Sequence, residues 1–186
     1  MLDNYDFYRL SKYSDTLSFT CGETEGEKDL NDFFLNEALL YEKELLAVTY
    51  LFQDNKNIVA FFSVKNDRIS KSKDDVEIEI NIPEPKRIYS SYPAVKIARF
   101  GVHKNYQGRG IGTAIINFIK SFFIKDHKTG CRFITVDAYK NNKTLGFYRK
   151  NGFKPLSDKD KNKETRGLFL DLKPRESGKK GSIIAT

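Results

Sequence analysis

The densest chemistry in the chain lies in the stretch Phe100-Gly-Val-His-Lys-Asn-Tyr-Gln-Gly-Arg-Gly-Ile-Gly-Thr. Gly108, Gly110 and Gly112 stand just ahead of an apolar run at helical spacing: Ile111, Ile115, Phe118, Ile119 and Phe122. A glycine-rich turn that opens a helix lets the backbone come close to a ligand. It also aims the first free N–H groups of the helix at that ligand, which is the geometry of a phosphate site. Two nucleotide motifs are excluded. The dinucleotide fingerprint needs a glycine three positions after Gly110, where Thr113 stands. The P-loop needs Gly-Lys-Ser or Gly-Lys-Thr, and no such triplet occurs here. The bland alternative is that the glycines only make a tight strand-to-helix turn.

Few other side chains have a chemical pattern. Cys21 and Cys131 show no CxxC or Cys/His spacing, so neither a metal site nor a disulfide framework is indicated. His103 follows the end of a strand and reads as facing solvent rather than as a base. Glu77 and Glu79 alternate with apolar residues and read as a solvated strand face, or as acceptors of a proton from an amine. Tyr148, beside Phe147 on a short helix, reads on its own as a core aromatic.

The elements that must position these residues follow from periodicity. Leu30, Phe33, Phe34, Ala38 and Tyr41 predict a helix from about Asp29 to Glu44, with Asp29 as N-cap. The runs from Leu46 and from Ile58 flank Asp54-Asn-Lys-Asn as a β-hairpin. Val76 to Ile82 and Ala94 to Val102 read as strands, followed by a helix from about Gly110 to Lys125. A strand over Cys131 to Ala138, a helix over Asn141 to Asn151, and strands over Phe153 to Leu156 and Gly167 to Leu172 complete the chain. The order β-α-β-β-(β)-β-α-β-α-β-β is that of an α/β or α+β domain with a mixed sheet. One domain is expected over 1–172, followed by a basic tail over 173–186.

Composition narrows the class. The chain has 186 residues, 31% of them charged, and no apolar run long enough to span a membrane. Fifteen Phe and ten Tyr supply a core and exclude wholesale disorder. The N-terminus lacks the basic start and apolar stretch of a signal peptide, so a cytoplasmic location is expected. The net charge of +7 is uneven. Arg99 to Arg132 holds seven basic residues and one acid, whereas Cys21 to Glu44 holds eight acids and two lysines. A basic stripe binds nucleic acid or a small phosphorylated ligand equally well.

At Gln107, Gly110 and Gly112 the sequence resembles the GNAT superfamily of acyl-CoA-dependent N-acetyltransferases, whose signature is Gln/Arg-x-x-Gly-x-Gly/Ala. Asn141-Asn-Lys-Thr-Leu-Gly-Phe-Tyr-Arg-Lys-Asn-Gly-Phe is similar to a second family segment, Asn-x-x-Ala-x-x-Phe-Tyr-x-x-x-Gly-Phe, with Thr144 in place of the usual Ala. The resemblance covers about Leu46 to Leu172. It implies a splayed central mixed sheet flanked by helices, with acetyl-CoA as co-substrate. It further implies that the amides of Gln107, Gly108, Arg109, Gly110, Ile111, Gly112 and Thr113 hold the pyrophosphate, with Arg109 and Lys104 adding charge. Phe100, Gly101 and Val102 would pair with the pantetheine arm, and the Phe100 amide would face the acetyl oxygen. Asn141 would contact the coenzyme arm, and Tyr148 would protonate the departing thiolate while Phe147 turns into the core. No metal is implied, and neither cysteine matches a nucleophile position.

The acceptor is a primary amine, attacking the thioester directly. No strong general base is evident, which favours an amine of low pKa: an α-amino group at about 7.7–8.0 rather than a lysine at about 10.4. A small molecule, a peptide and aminoacyl-tRNA all qualify. Phe19-Thr-Cys-Gly followed by Leu30-Asn-Asp-Phe-Phe-Leu resembles the toxin-type acetyltransferases of bacterial toxin–antitoxin pairs, which implies an antitoxin partner and admits a homodimer. The competing class is a non-catalytic domain that binds acyl-CoA or nucleic acid.

Overall fold

The computed structural model describes residues 2–15, 17–55, 57–70, 90–125, 129–157 and 163–173. The strand expected over Val76 to Ile82, with Glu77 and Glu79, and the tail beyond Lys173 lie outside the described residues. Among the described residues seven strands form one sheet: β1 Asp6–Arg9, β2 Val48–Asp54, β3 Asn57–Ser70, β4 Ser91–Val102, β5 Phe133–Tyr139, β6 Lys154–Pro155 and β7 Thr165–Asp171. Their spatial order is β1-β2-β3-β4-β5-β7-β6. The hairpin β2–β3 turns where Asn55 takes a left-handed backbone (φ 53°). A short polar side chain tolerates that conformation.

The helices are α1 Glu25–Asp32, α2 Ala38–Lys43, α3 Ile111–Lys125 and α4 Asn142–Lys150. The first begins four residues ahead of the expected start, and Asp29 is not its cap. Glu27 takes that end of the helix instead, its carboxylate accepting from the Thr24 N–H at 3.0 Å and the Thr24 hydroxyl at 2.8 Å. Such a reciprocal Thr/Glu pair satisfies the orphan amides of a helix start. A π-helical turn, Phe33–Glu37, separates α1 from α2. There both Phe33 and Phe34 are buried, and the Phe34 ring stacks 4.4 Å from Phe61.

Period-two alternation divides the strands between two cores. Phe52, Phe62, Val95, Ile97, Ile134 and Val136 face α3 and α4, whose Ile111, Ile115, Ile119 and Tyr148 complete one cluster. Leu51, Ile58 and Phe61 face the other way, against Phe19, Phe33, Phe34 and Ala38. In β4 this makes Phe100 and Val102 point towards α3, whereas Arg99 and Gly101 point towards α1.

The feature that shapes the site is where pairing stops. β4 and β5 are parallel, and their ladder runs only from Ala94 to Ile97 against Phe133 to Val136. Beyond Ile97 a bulge intervenes: Val64 pairs with Ile97 and Ser63 with Arg99, so Ala98 is the extra residue. From there to Val102, β4 stays with β3 and leaves β5. Gly101 is needed on this departing segment. A Cβ there would lie 2.7 Å from the Phe61 ring and 3.2 Å from Phe19, and Phe61 is itself wedged against Phe34. Gly101→Ala is expected to lower the unfolding free energy by about 1–3 kcal/mol, measured by urea denaturation.

Candidate active site

The gap between β4 and β5 is built from backbone. His103 N–H donates to Val59 O on β3 at 2.8 Å, so by strand alternation the N–H groups of Phe100 and Val102 turn away from β3, into the gap. The Val102 carbonyl, on that same side, accepts from Gln107 Nε2 at 3.0 Å. Phe100 therefore turns its amide to the open edge, where the β4–β5 ladder has stopped and a linear ligand could pair.

The glycine turn follows directly. Gly108 (φ 74°) and Gly110 (φ 79°) both adopt left-handed backbone, which a side chain would strain. The space beside Gly108 is open to 4 Å. Ala114 N–H makes the first bond of α3, to Gly110 O at 3.0 Å, so the amides of Ile111, Gly112 and Thr113 have no intrahelical acceptor. These donors and the positive end of a fifteen-residue helix point out beside the gap. Arg109 lies exposed with its guanidinium 5.6 Å from the Tyr106 ring, and Lys104 is exposed nearby. Gly112 has a different reason to be glycine. A Cβ there would meet the Phe147 ring at 3.1 Å, so the residue lets α4 close against α3.

Three expected site residues have structural duties of their own. The Gln107 side chain is a clamp, donating to Cys21 O at 2.7 Å as well as to Val102 O. It ties the turn to the segment ahead of α1, while the Gln107 backbone N–H closes the preceding turn on Lys104 O at 3.4 Å. Asn141 is the N-cap of α4, its side-chain oxygen accepting from Thr144 N–H at 2.7 Å. Tyr148 is 6% exposed, with Phe147 and Phe153 both 5.2 Å away in edge-on contact. The division expected between the two aromatics is thus reversed. Phe147 is the half-buried ring, stacked 6.0 Å from Phe100 at the gap, and Tyr148 is the buried one. The cause is Gly112, which makes room for a ring at position 147. Burial pushes the Tyr148 phenol well above its ordinary value.

On the opposite face of the gap lie groups that the sequence reading did not single out. Arg99 sits 5.2 Å over the Phe33 ring and 3.7 Å from Asp29 of α1. Lys96 pairs with Asp137, which stands on β5 just past the last paired residue. Gly26 of α1 adjoins Tyr139 at the end of β5, so the acidic helix walls this face. The signal available was a charged residue inside an apolar strand, which marks Arg99 but does not say which face it takes. The remaining candidates are held elsewhere. His103 Nδ1 accepts from Asn105 N–H at 3.2 Å, and its ring lies 5.8 Å from Phe19; desolvation and Lys104 lower its pKa. The Cys21 thiol is buried, which pushes it up to about 11, and it is no nucleophile at neutral pH.

A family model for the GNAT acetyltransferase domain matches residues 47–155. The chain belongs to the GNAT acetyltransferase family. It is accordingly an N-acetyltransferase, with acetyl-CoA as the co-substrate. No curated protein matches the sequence. Solved structures share the fold at low identity. A tyrosine-to-phenylalanine variant of the toxin AtaT, bound to the C-terminus of the antitoxin AtaR and acetyl-CoA, has a TM-score of 0.62 at 20% identity, covering 91% of this chain and 94% of that one. A tyrosine-to-phenylalanine variant of KacT has a TM-score of 0.65 at 17% identity, over 91% and 95%. AtaT complexed with acetyl-methionyl-tRNAfMet has a TM-score of 0.65 at 20% identity, over 90% and 94%.

The Gln107 clamp gives a direct test. Gln107→Ala leaves two carbonyls without their donor and is expected to cost about 1–3 kcal/mol of stability. Because the clamp holds the turn, acetyl-CoA affinity should fall with it, measured by calorimetry under conditions where the variant is folded.

Proposed function

We propose that this acetyltransferase acetylates the α-amino group of aminoacyl-tRNA, as a toxin restrained by a protein antitoxin. The observation that carries the cofactor half of the reading is the open edge of β4 from Ala98 to Val102, with the amides of the glycine turn at its end. The pantetheine arm pairs with that edge, and the pyrophosphate rests on the amides from Gln107 to Thr113. Exposed Lys104, Arg109, Lys143, Arg149 and Lys150 lie on the turn and on α4, where they favour polyanions. The acceptor half is supported by the net charge of +7 and by the likeness to AtaT, whose structure holds acetyl-methionyl-tRNAfMet. An aminoacyl amine is partly neutral at pH 7 and needs no strong base.

The reaction proceeds by direct attack. The amine lone pair attacks the thioester carbon while the Phe100 N–H donates to the oxygen that becomes negative. The tetrahedral intermediate collapses with cleavage of the C–S bond, and the electron pair leaves on sulfur. The Tyr148 hydroxyl gives its proton to that thiolate, and the amine's surplus proton, passed through solvent, restores the phenol. Holding the two reactants on either side of one gap supplies most of the acceleration by proximity.

Tyr148→Phe keeps the ring and its packing. It is expected to leave acetyl-CoA affinity near normal and to lower kcat by about ten-fold or more. Full kcat in a folded variant removes Tyr148 from the mechanism. The pH profile provides a second check. Because burial raises the phenol, the proton to be donated is retained through and above pH 10, so the wild-type rate should rise as the amine deprotonates near pH 8 and then stay level. A fall between pH 8 and 10 would place the acid elsewhere. Gly110→Asp puts a carboxylate against the phosphates and should abolish acetyl-CoA binding in calorimetry. Thiol release with charged tRNA, uncharged tRNA and free amines identifies the acceptor.

A further inference from the structure

The α1 face of the sheet carries two apolar clusters with a polar strip between them. Leu51, Ile58 and Phe61 belong to one cluster, and Ile69, Ala94, Phe133 and Phe169 form the other. By strand alternation the residues between them project to the same face: Asp67 on β3, Lys96 and Arg99 on β4, Thr135 and Asp137 on β5. Three carboxylates border the strip, and two are committed elsewhere. Asp67 accepts from Arg68 N–H at 2.8 Å through one oxygen and from the Thr135 hydroxyl through the other. Asp29 stands on α1, outside the strands that wall the gap, and faces Arg99 at 3.7 Å. Asp137 differs on each count. Its Oδ2 pairs with Lys96 Nζ, whereas Oδ1 has no partner among the described residues, and 53% of its side chain is accessible.

Register puts Asp137 at the fork. Ile97 with Val136 is the last pair of the β4–β5 ladder, and Asp137 is the next residue of β5. On β4 the next positions, once the Ala98 bulge is discounted, are Arg99 and Phe100. A linear ligand paired with β4 lies about one strand spacing, roughly 4.8 Å, from its neighbour on the other side. A thioester held beside the Phe100 amide is therefore flanked by Asp137, about one residue back along β5. On β7 the residue opposite Asp137 is Gly167, which brings no side chain over the carboxylate. Lys96, 22% accessible, holds one oxygen in place and leaves the other to the gap. An ion pair so exposed adds little to stability, so its position at the fork is not explained by folding.

We propose that Asp137 is the general base of the transfer: its Oδ1 accepts a hydrogen bond from the incoming amine and takes the amine's proton as the C–N bond forms. This rests on the thioester lying beside Phe100, as read above, and not on which amine is the acceptor. A carboxylate is too weak a base to deprotonate a free ammonium group with a pKa of about 8 or higher. It suffices once the nitrogen lone pair is committed to carbon, because the N–H of the tetrahedral intermediate is far more acidic. The C–N bond forms, and the C–S bond breaks with its electron pair on sulfur. Tyr148 protonates the sulfur, and the nitrogen's proton passes to Asp137 and on to solvent. Acid and base thus act from opposite faces of the gap.

Asp137→Asn keeps an oxygen for Lys96 and removes the base. It is expected to melt near the wild-type temperature and to bind acetyl-CoA normally in calorimetry. Its kcat for leucinamide should fall about 10²-fold or more, with KM changed less than about three-fold. Asp137→Ala opens room for a small carboxylate. Sodium formate, against sodium chloride at equal ionic strength, should restore part of its kcat and leave wild type unchanged. Asp29→Asn should retain kcat. Full kcat in folded Asp137→Asn overturns the proposal. So does a raised KM with unchanged kcat, which would assign Asp137 to binding alone. A loss in Asp137→Ala that formate does not restore assigns the pair to structure and also overturns it. If leucinamide shows the expected pattern but charged tRNA is not acetylated, the base stands and the tRNA reading fails. If Asp137→Asn acetylates charged tRNA with full kcat, the tRNA reading stands and the base fails.

Discussion

Parallel pairing between β4 and β5 lasts for four residues and then ends at a single extra residue, Ala98. A continuous ladder would satisfy more backbone groups, and leaving a strand edge open inside a sheet is costly unless something else pairs with it. The bulge makes that arrangement stable from the β3 side. It re-registers β4 on β3, so β4 leaves β5 without losing its other neighbour. Gly101 and the rings of Phe61 and Phe19 then fix the departing segment from one face, and Phe100 against Phe147 from the other. The open edge is thus held by packing on both sides rather than left loose.

The gap also sorts the chemistry by face. On one side stand the glycine turn, the N-terminus of α3 and the exposed cations of α4, all suited to phosphates. On the other stand α1 with its acidic residues, Arg99 with Asp29, and the Lys96–Asp137 pair. The gap thus presents a cationic wall on one side and an acidic wall on the other. The buried Tyr148 lies on the phosphate face, and burial holds its phenol above the ordinary value.

Much of this was legible in the sequence because local rules set it. The hairpin around Asn55, the glycine turn, the apolar stripe of α3 and the strand around Phe100 each rest on residues within a few positions of one another. The start of α1 was misplaced because Asp29 and Thr24 are both acceptable caps, and only Glu27 reaching back to Thr24 decides between them. Which of Phe147 and Tyr148 is the buried ring has no local signal, because it depends on Gly112, thirty-five positions earlier in the chain. Gln107 was read for its amide, while its side chain spends itself on Cys21, a contact that no local pattern announces.

The Gln107 clamp spans 86 residues, and this distance governs when the site can exist during synthesis. Closing so large a loop is slow relative to forming a hairpin or a helix. The segment around Cys21 leaves the ribosome early but has nothing to hold until residue 107 follows. β5 supplies the second wall of the gap and α4 carries Tyr148, and both come later still. A nascent chain of this kind is chemically silent for most of its translation. Its acetyl-transfer machinery closes only when the final third of the domain docks, a built-in delay between making the polypeptide and arming it.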